Sequence, residues 1–258
     1  MRKEIRVSDN PTLHEIEGYI QTIYLAEYQK GLMLLDGCSR ADVGVVLSYI
    51  QHSLMRPIED LKWIIVTHMH PDHAGGAHRL RDITGCQIAT GVAEQDWYKG
   101  FDGIMMHWTD IALAKWMAKR MGKSPKRVWY NRRLNADAYL KDGDAIPGFP
   151  DWTVLETPGH TDRDISLHHA ATSTVYVADL MVTVKGKFIP PFPVFYPNRY
   201  RQSLQKVFSL QTESIMLAHG GKVSPTPDDI DFLTSKIPPI PVTHWRSVKT
   251  KLKKLVHI

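Results

Sequence analysis

The stretch "THMHPDHAGG", residues 67–76, places His68, His70, Asp72 and His73 within six positions. Crowding three imidazoles and a carboxylate costs desolvation and mutual repulsion, so the cluster needs something to offset it. A divalent metal would do so, because neutral imidazole and carboxylate oxygen together suit zinc and other borderline cations. His68 and His70 stand two apart at the end of the run "WIIVT", so both side chains can point the same way as the chain leaves a sheet. Pro71 disfavours a helical conformation at His70 and fits a first helical turn, which puts Asp72 and His73 in the opening turn of a helix. Gly75 and Gly76 let that helix pack close beneath the cluster.

A single zinc takes four ligands, and four donors from one turn with more elsewhere point to two metals. Three further donors have the right setting: His160 in "TPGHT", Asp179 in "VYVADL" and His219 in "IMLAHGG". Each ends an apolar strand and precedes a turn or a glycine. The other histidines, His14, His52, His78, His168, His169, His244 and His257, have no partner at ligand spacing and read as structural or surface residues. Cys38 and Cys86 are too few for a disulfide framework and form no CxxC pair, so they read as small buried hydrophobes.

Donors at strand ends require strands, and the apolar periodicity supplies them. In the first half "GYIQTIYLAEY" and "GLMLLDG" read as a hairpin, "ADVGVVLSYIQHSL" as a helix and "LKWIIVT" as a buried strand. A helix "PDHAGGAHRLRDITG" stopped by Gly85 and a strand "CQIAT" follow. Residues 104–122 form a long amphipathic helix with Ile104, Trp108, Ile111, Ala112 and Met117 toward one side, closed by Gly122. The second half reads as strands "AYLKDGDAI", "WTVLETPG", "ISLHHA" and "TVYVADL", then a proline and aromatic loop, a helix "RYRQSLQKVFSLQ" and a strand "SIMLAHGG". A helix introduced by "SPTPDD" and a last basic helix close the chain. Two strand-rich halves, each ending in helices, predict two sheets with helices outside them.

The composition is that of an ordinary globular protein: 258 residues, 43% of them hydrophobic. No run approaches the roughly 20 apolar residues of a membrane span, and the N-terminus has no apolar signal-peptide core, so a cytoplasmic location without a membrane partner is expected. The net charge of +5 is concentrated in "RSVKTKLKKLVHI", where Arg246, Lys249, Lys251, Lys253 and Lys254 meet no acidic residue. That segment reads as a solvated helix face, and nucleic acid is not the expected partner.

Taken in order, "LLDGCS", "THMHPDHAGG", "TPGHT", "VYVADL" and "LAHGG" resemble the five ordered motifs of the metallo-β-lactamase superfamily, over about residues 18–225. The resemblance implies an α/β fold, the four-layer αβ/βα sandwich of that family, with a dinuclear site on the edge between its two sheets. It implies one domain over 1–258, with a helical insertion at about 97–135 and a C-terminal helical extension at about 226–258. Carried over by position, His68, His70 and His160 correspond to ligands of a first metal, Asp72, His73 and His219 to those of a second, and Asp179 to the bridge. Asp36 corresponds to an aspartate that supports a ligating histidine by hydrogen bonding. Two Zn2+ are the expected cofactors, with Fe or Mn as alternatives at either site.

Departures from particular branches narrow the expectation. Metallo-β-lactamases proper resemble this chain in their histidines but carry cysteine or serine where Asp179 stands. Glyoxalase II resembles it in the aspartate, yet "ADLMV" lacks the "GDTLF"-like stretch of that branch, and the tyrosine of the quorum-quenching lactonases is replaced by Val182. Flavodiiron relatives carry glutamate in place of His70. The expected activity is hydrolysis of an acyl substrate (lactone, thioester, ester or, promiscuously, β-lactam) by a metal-bridging hydroxide, with Asp72 orienting the nucleophile and returning a proton. The alternative is a phosphodiesterase or nuclease using the same site, and a third class is a non-catalytic metal-binding protein. The loops expected over the metals supply Trp97, Phe101, Met105, His107, Trp108, Phe192, Phe195 and Tyr196 as substrate-binding candidates. A small-molecule acyl substrate is the expected partner, and a homodimer is compatible with this reading.

Overall fold

Strand β1 (Thr12–Glu17) runs antiparallel to β2 (Thr22–Tyr28), which returns antiparallel as β3 (Gly31–Leu34). The protein's structure, a computed structural model, describes the backbone of residues 10–256 and the side chains of residues 10–253, so His257 and the Lys254 side chain lie outside the described residues. The β2–β3 hairpin is the one expected. β1 adds a strand ahead of it whose sequence "TLHEIE" buries only Ile16 fully and so offers no apolar run to read.

Helix α1 (Val43–Ser48) leads to β4 (Leu61–Val66), and α2 (Pro71–Ala74) with α3 (Ala77–Thr84) leads to β5 (Gln87–Gly91). Helix α4 (Gly100–Arg120) precedes β6 (Ala138–Leu140). Strands β3, β4, β5 and β6 pair in parallel, as crossover helices require, and complete a six-stranded sheet in the order β1-β2-β3-β4-β5-β6.

The segment "AYLKDGDAI" divides between two sheets. Its first part is β6, and after a turn in which Asp144 accepts from the Lys141 amide at 2.7 Å its end becomes β7 (Ala145–Ile146). Then come β8 (Phe149–Glu156), β9 (Ile165–His169), β10 (Thr174–Tyr176), and a small hairpin of β11 (Val182–Val184) and β12 (Lys187–Ile189). Helix α5 (Pro197–Ser209), β13 (Ser214–Leu217), β14 (Gly221–Val223), α6 (Pro227–Ser235) and α7 (His244–Val256) follow. The second six-stranded sheet has the order β14-β13-β10-β9-β8-β7.

Successive residues of a strand face opposite sides, and here both sides are buried. Along β2 and β4, Ile23, Leu25, Ile64 and Val66 face helices α1, α3 and α4, while Tyr24, Ala26, Trp63 and Ile65 face the second sheet. Along β10 and β13, Tyr176 and Met216 face the first sheet, and Val175, Ile215 and Leu217 pack against Tyr200, Leu204 and Val207 of α5 and Leu233 of α6. The result is a helix–sheet–sheet–helix sandwich, as the resemblance implied. Trp152 fills the middle layer completely buried, its indole N–H donating to Tyr28 Oη at 2.8 Å.

Two expectations about helix faces are corrected. In α4, Trp108 is 66% and Met117 40% exposed; Ile111 is buried, but on a face shared with Gly103, Met106, His107, Asp110, Ala114 and Ala118. The helix is apolar on more than one side, so periodicity alone did not choose the face that packs. In α7 the basic residues are not all solvated: Lys251 is buried against α4 and pairs with Asp110. Both cysteines are buried and free, as expected.

Candidate metal centre

Five strands deliver the site from their C-terminal ends. Asp36 follows β3, His68 follows β4, His160 follows β8, Asp179 follows β10 and His219 follows β13, so both sheets contribute at one edge. His70 is extended (φ −70°, ψ 159°) and Pro71 opens α2, which places Asp72 and His73 in the first helical turn. A Cβ at Gly76 would stand 2.6 Å from Cys38 Sγ, which explains why a glycine lets α3 start so close beneath the cluster. Ala178 holds a left-handed conformation (φ 47°), an arrangement costing about 1–2 kcal/mol, immediately before the Asp179 carboxylate.

The seven candidate ligands converge in two sets, His68, His70, His160 with Asp179, and Asp72, His73 with His219, the ligand atoms within each set lying within 4.8 Å of one another. His70 Nδ1 is 3.0 Å from both His68 Nε2 and His160 Nε2. Asp179 stands between the sets: Oδ2 is 3.9 Å from His68 Nε2 and 3.7 Å from His160 Nε2, while Oδ1 is 3.5 Å from His73 Nε2 and from His219 Nε2. One carboxylate thus offers an oxygen to each set. Asp72 Oδ2 completes the second set, 3.1 Å from His219 Nε2 and 3.7 Å from His73 Nε2.

Neighbouring acceptors orient the rings. His160 Nδ1 donates to the Pro193 carbonyl at 2.6 Å and His73 Nδ1 donates to Asp36 Oδ2 at 2.5 Å, which turns both Nε2 atoms inward. His68 Nδ1 lies 3.1 Å from Thr67 Oγ1, whose own hydroxyl donates to Asp36 at 2.8 Å. His73 Nε2 and Asp179 Oδ1 are buried without a hydrogen-bond partner among the described residues. Buried polar atoms without partners are what a cation would satisfy, and the imidazole and carboxylate set fits divalent metal ions.

The charges follow the same division. Burial, then the neighbouring imidazoles, holds His68 and His70 well below the ordinary histidine range. Burial also acts downward on His73, but Asp36, Asp179 and Asp72 outweigh it and raise this histidine well above that range. His219 is raised in the same way by Asp179 and Asp72. Burial would push Asp179 and Asp72 up, yet the surrounding imidazoles, His219 and His73 foremost, bring both below the usual carboxylate range.

A cavity of about 680 Å3 opens above the ligands. Its floor holds His70, Asp72, His160, Asp179 and His219; its walls are Leu113, Ala114, Trp116 and Met117 of α4, Ile20 of the β1–β2 turn, and Val182 and Val184 of the β11–β12 hairpin. Of the residues proposed from sequence for substrate contact, Phe192 lines this cavity. Trp97, Met105, His107 and Phe195 pack in the first core instead, where Trp97 meets Phe195 edge-to-face and His107 stacks near Tyr98 and Tyr130. Phe101 and Trp108 are exposed on α4, and Tyr196 borders a separate small depression with Trp97. The wall that sequence reasoning missed belongs to the opposite face of α4. Gln21 was missed too; its side-chain amide donates to the carbonyls of Asp72 and Gly37 and braces the ligand turn.

Three of the other histidines have partners of their own: His14 pairs with Glu27, His169 with Asp151, and His78 accepts from the Asn135 amide. Among the described residues no helix is long and apolar enough to cross a membrane.

Comparison with known proteins agrees with this geometry. The chain is 26% identical to "Probable metallo-hydrolase YqjP" of Bacillus subtilis over 133 residues, 48% of this chain and 41% of that protein. It is 26% identical to a hydroxyacylglutathione hydrolase of Cereibacter sphaeroides over 168 residues, 63% of this chain and 51% of that protein. The chain therefore matches about half the length of these relatives or less. A crystal structure of a metallo-beta-lactamase family protein from Thermus thermophilus superposes with a TM-score of 0.62 at 18% identity, covering 88% of this chain and 78% of that one, a likeness of fold. Residues 16–219 match the sequence pattern of the metallo-beta-lactamase superfamily, from the end of β1 to the last candidate ligand, and the chain belongs to that superfamily.

Proposed function

We propose that this chain is a dinuclear, zinc-dependent hydrolase of acyl substrates such as lactones, thioesters and esters. The observation that carries the reading is the placement of Asp179, one carboxylate oxygen toward each ligand set, at the floor of a cavity whose walls are largely apolar. Two divalent cations held by these sets would supply a nucleophilic hydroxide at neutral pH and polarise the electrophilic carbonyl. The protein's own contribution is orientation and proton handling. Asp72 Oδ2 borders both the cavity and His219, so it can hold the nucleophile's proton and return it to a leaving oxygen or sulfur. The apolar wall of α4 excludes water from the acyl group and favours its burial.

The lining also bears on the phosphodiesterase alternative. Its one cationic side chain among the described residues, apart from histidines, is Lys123, and that ammonium is paired with Glu17. A polyanionic backbone calls for several free cations. The test is a panel of lactones, acyl thioesters, β-lactams and phosphodiesters run on protein of known metal content. Acyl substrates should turn over fastest; faster hydrolysis of bis(p-nitrophenyl) phosphate would replace this reading with the phosphodiesterase one.

A further inference from the structure

We infer that Asp110 of α4 and Lys251 of α7 form a positioning pair for His70, which makes the C-terminal helix a working part of the metal centre. The inference rests on the metal reading above. His70 turns Nδ1 toward His68 and His160, so its Nε2 points away from the first ligand set. That Nε2 is buried and has no hydrogen-bond partner among the described residues, and Asp110 Oδ2 lies 3.9 Å from it. An imidazole that ligates through one nitrogen keeps its proton on the other, and a carboxylate is the usual acceptor that fixes the ring and raises its basicity. Asp110 is the carboxylate placed to do this.

Its own environment is built to hold it. Oδ2 accepts from Tyr98 Oη at 3.0 Å, Tyr98 Oη also lies 3.1 Å from the Met69 carbonyl between the two first ligands, and Oδ1 accepts from Lys251 Nζ. Both charged residues are buried, Asp110 at 5% and Lys251 at 1% exposure. Lys249 and Lys253 of the same helix face solvent, whereas a buried ammonium such as that of Lys251 persists only when paired. Removing one partner would strand the other charge, so the informative change removes both charges while keeping the volume.

The experiment compares the full chain with Asp110→Asn/Lys251→Met, each stripped with a chelator and titrated with Zn2+ against a chromophoric competitor, then with Co2+ by visible absorption. Wild-type protein that takes up no ion rejects the metal reading itself, before any variant is read. If wild type binds, the variant is expected to keep the far-ultraviolet circular dichroism of the wild type, lose about 10–100-fold in affinity for one ion and change the Co2+ bands of that site. Wild-type affinities and bands for every ion would overturn the inference. Should the neutral pair fail to fold, Asp110→Glu keeps the charge opposite Lys251 and shifts the carboxylate by a methylene relative to His70. The same loss at one ion is then expected, and unchanged binding is equally fatal.

Discussion

Asp36 Oδ2 accepts a 2.5 Å hydrogen bond from His73 Nδ1, joining the end of β3 to the first turn of α2 across 37 residues of sequence. The same carboxylate accepts from the Thr67 amide at 3.1 Å, the Thr67 hydroxyl at 2.8 Å and the Tyr176 hydroxyl at 3.0 Å, so it ties both sheets to one candidate ligand. Burial pushes the Asp36 carboxyl up, against the opposing pull of His73 and Thr67.

Replacing Asp36 with alanine leaves these buried donors without an acceptor. We expect a loss of about 2–4 kcal/mol in stability, read by denaturant unfolding of the metal-free protein. Affinity for the ion held by Asp72, His73 and His219 should fall about 10–100-fold, read by chelator competition. A variant with unchanged metal affinity would mean that Asp36 supports the fold alone.

Asp179→Ala removes the one residue shared by the ligand sets. Elemental analysis after gentle purification should find at least one metal equivalent fewer than in wild type, and acyl hydrolysis should fall by more than about 100-fold. Full activity in this variant would end the dinuclear mechanism.

Metal loading should depend on pH in a definite order. A histidine must be neutral to ligate, so the raised values of His73 and His219 mean that an ion entering their set displaces protons, and its affinity drops as pH falls through those values. His68 and His70 are depressed and already neutral near pH 7, so they impose no such penalty there. Lowering the pH from about 8 to about 5 in buffered Zn2+ should therefore release one equivalent before the other. Simultaneous release of both would contradict the assignment.

The α4 wall predicts substrate preference. Leu113→Asp puts a carboxylate on that apolar surface without touching a ligand. It should lower kcat/KM by about tenfold or more for esters of six-carbon or longer acids, and much less for acetate esters, with metal content unchanged. Equal losses along the series would show that the acyl group lies elsewhere.

Much of this site was legible because its signals are local. His68, His70, Asp72 and His73 fall at one strand-to-helix turn, where Pro71 and two glycines dictate the backbone, and donors packed that densely are costly unless a cation binds them. His160, Asp179 and His219 could be read because an apolar strand that stops at a polar residue marks a sheet edge. The layered fold followed from strands apolar on both faces, which demand cover on each side.

What remained hidden depends on which faces meet. The "AYLKDGDAI" segment supplies strands to two different sheets, a matter of pairing that no local pattern encodes. Helix α4 is apolar on more than one side; packing in the first core and against α7 selected the face that carries Asp110, and Leu113, Trp116 and Met117 beside it became cavity wall. Trp97 and Phe195 are large and apolar enough for a substrate lid, but the core took them first.

Lys251 shows the division most clearly. In the sequence it is one lysine of a basic tail with no acidic neighbour; in the folded chain it lies buried on Asp110, 141 residues away. The sequence by itself determined the donor types of the candidate site and the strand ends that present them, because both depend on residue type and short spacing. Only the tertiary structure decided the ring orientations, the cavity wall and the buried charge pair, because these arise from contacts between surfaces that meet when the two sheets and their helices pack.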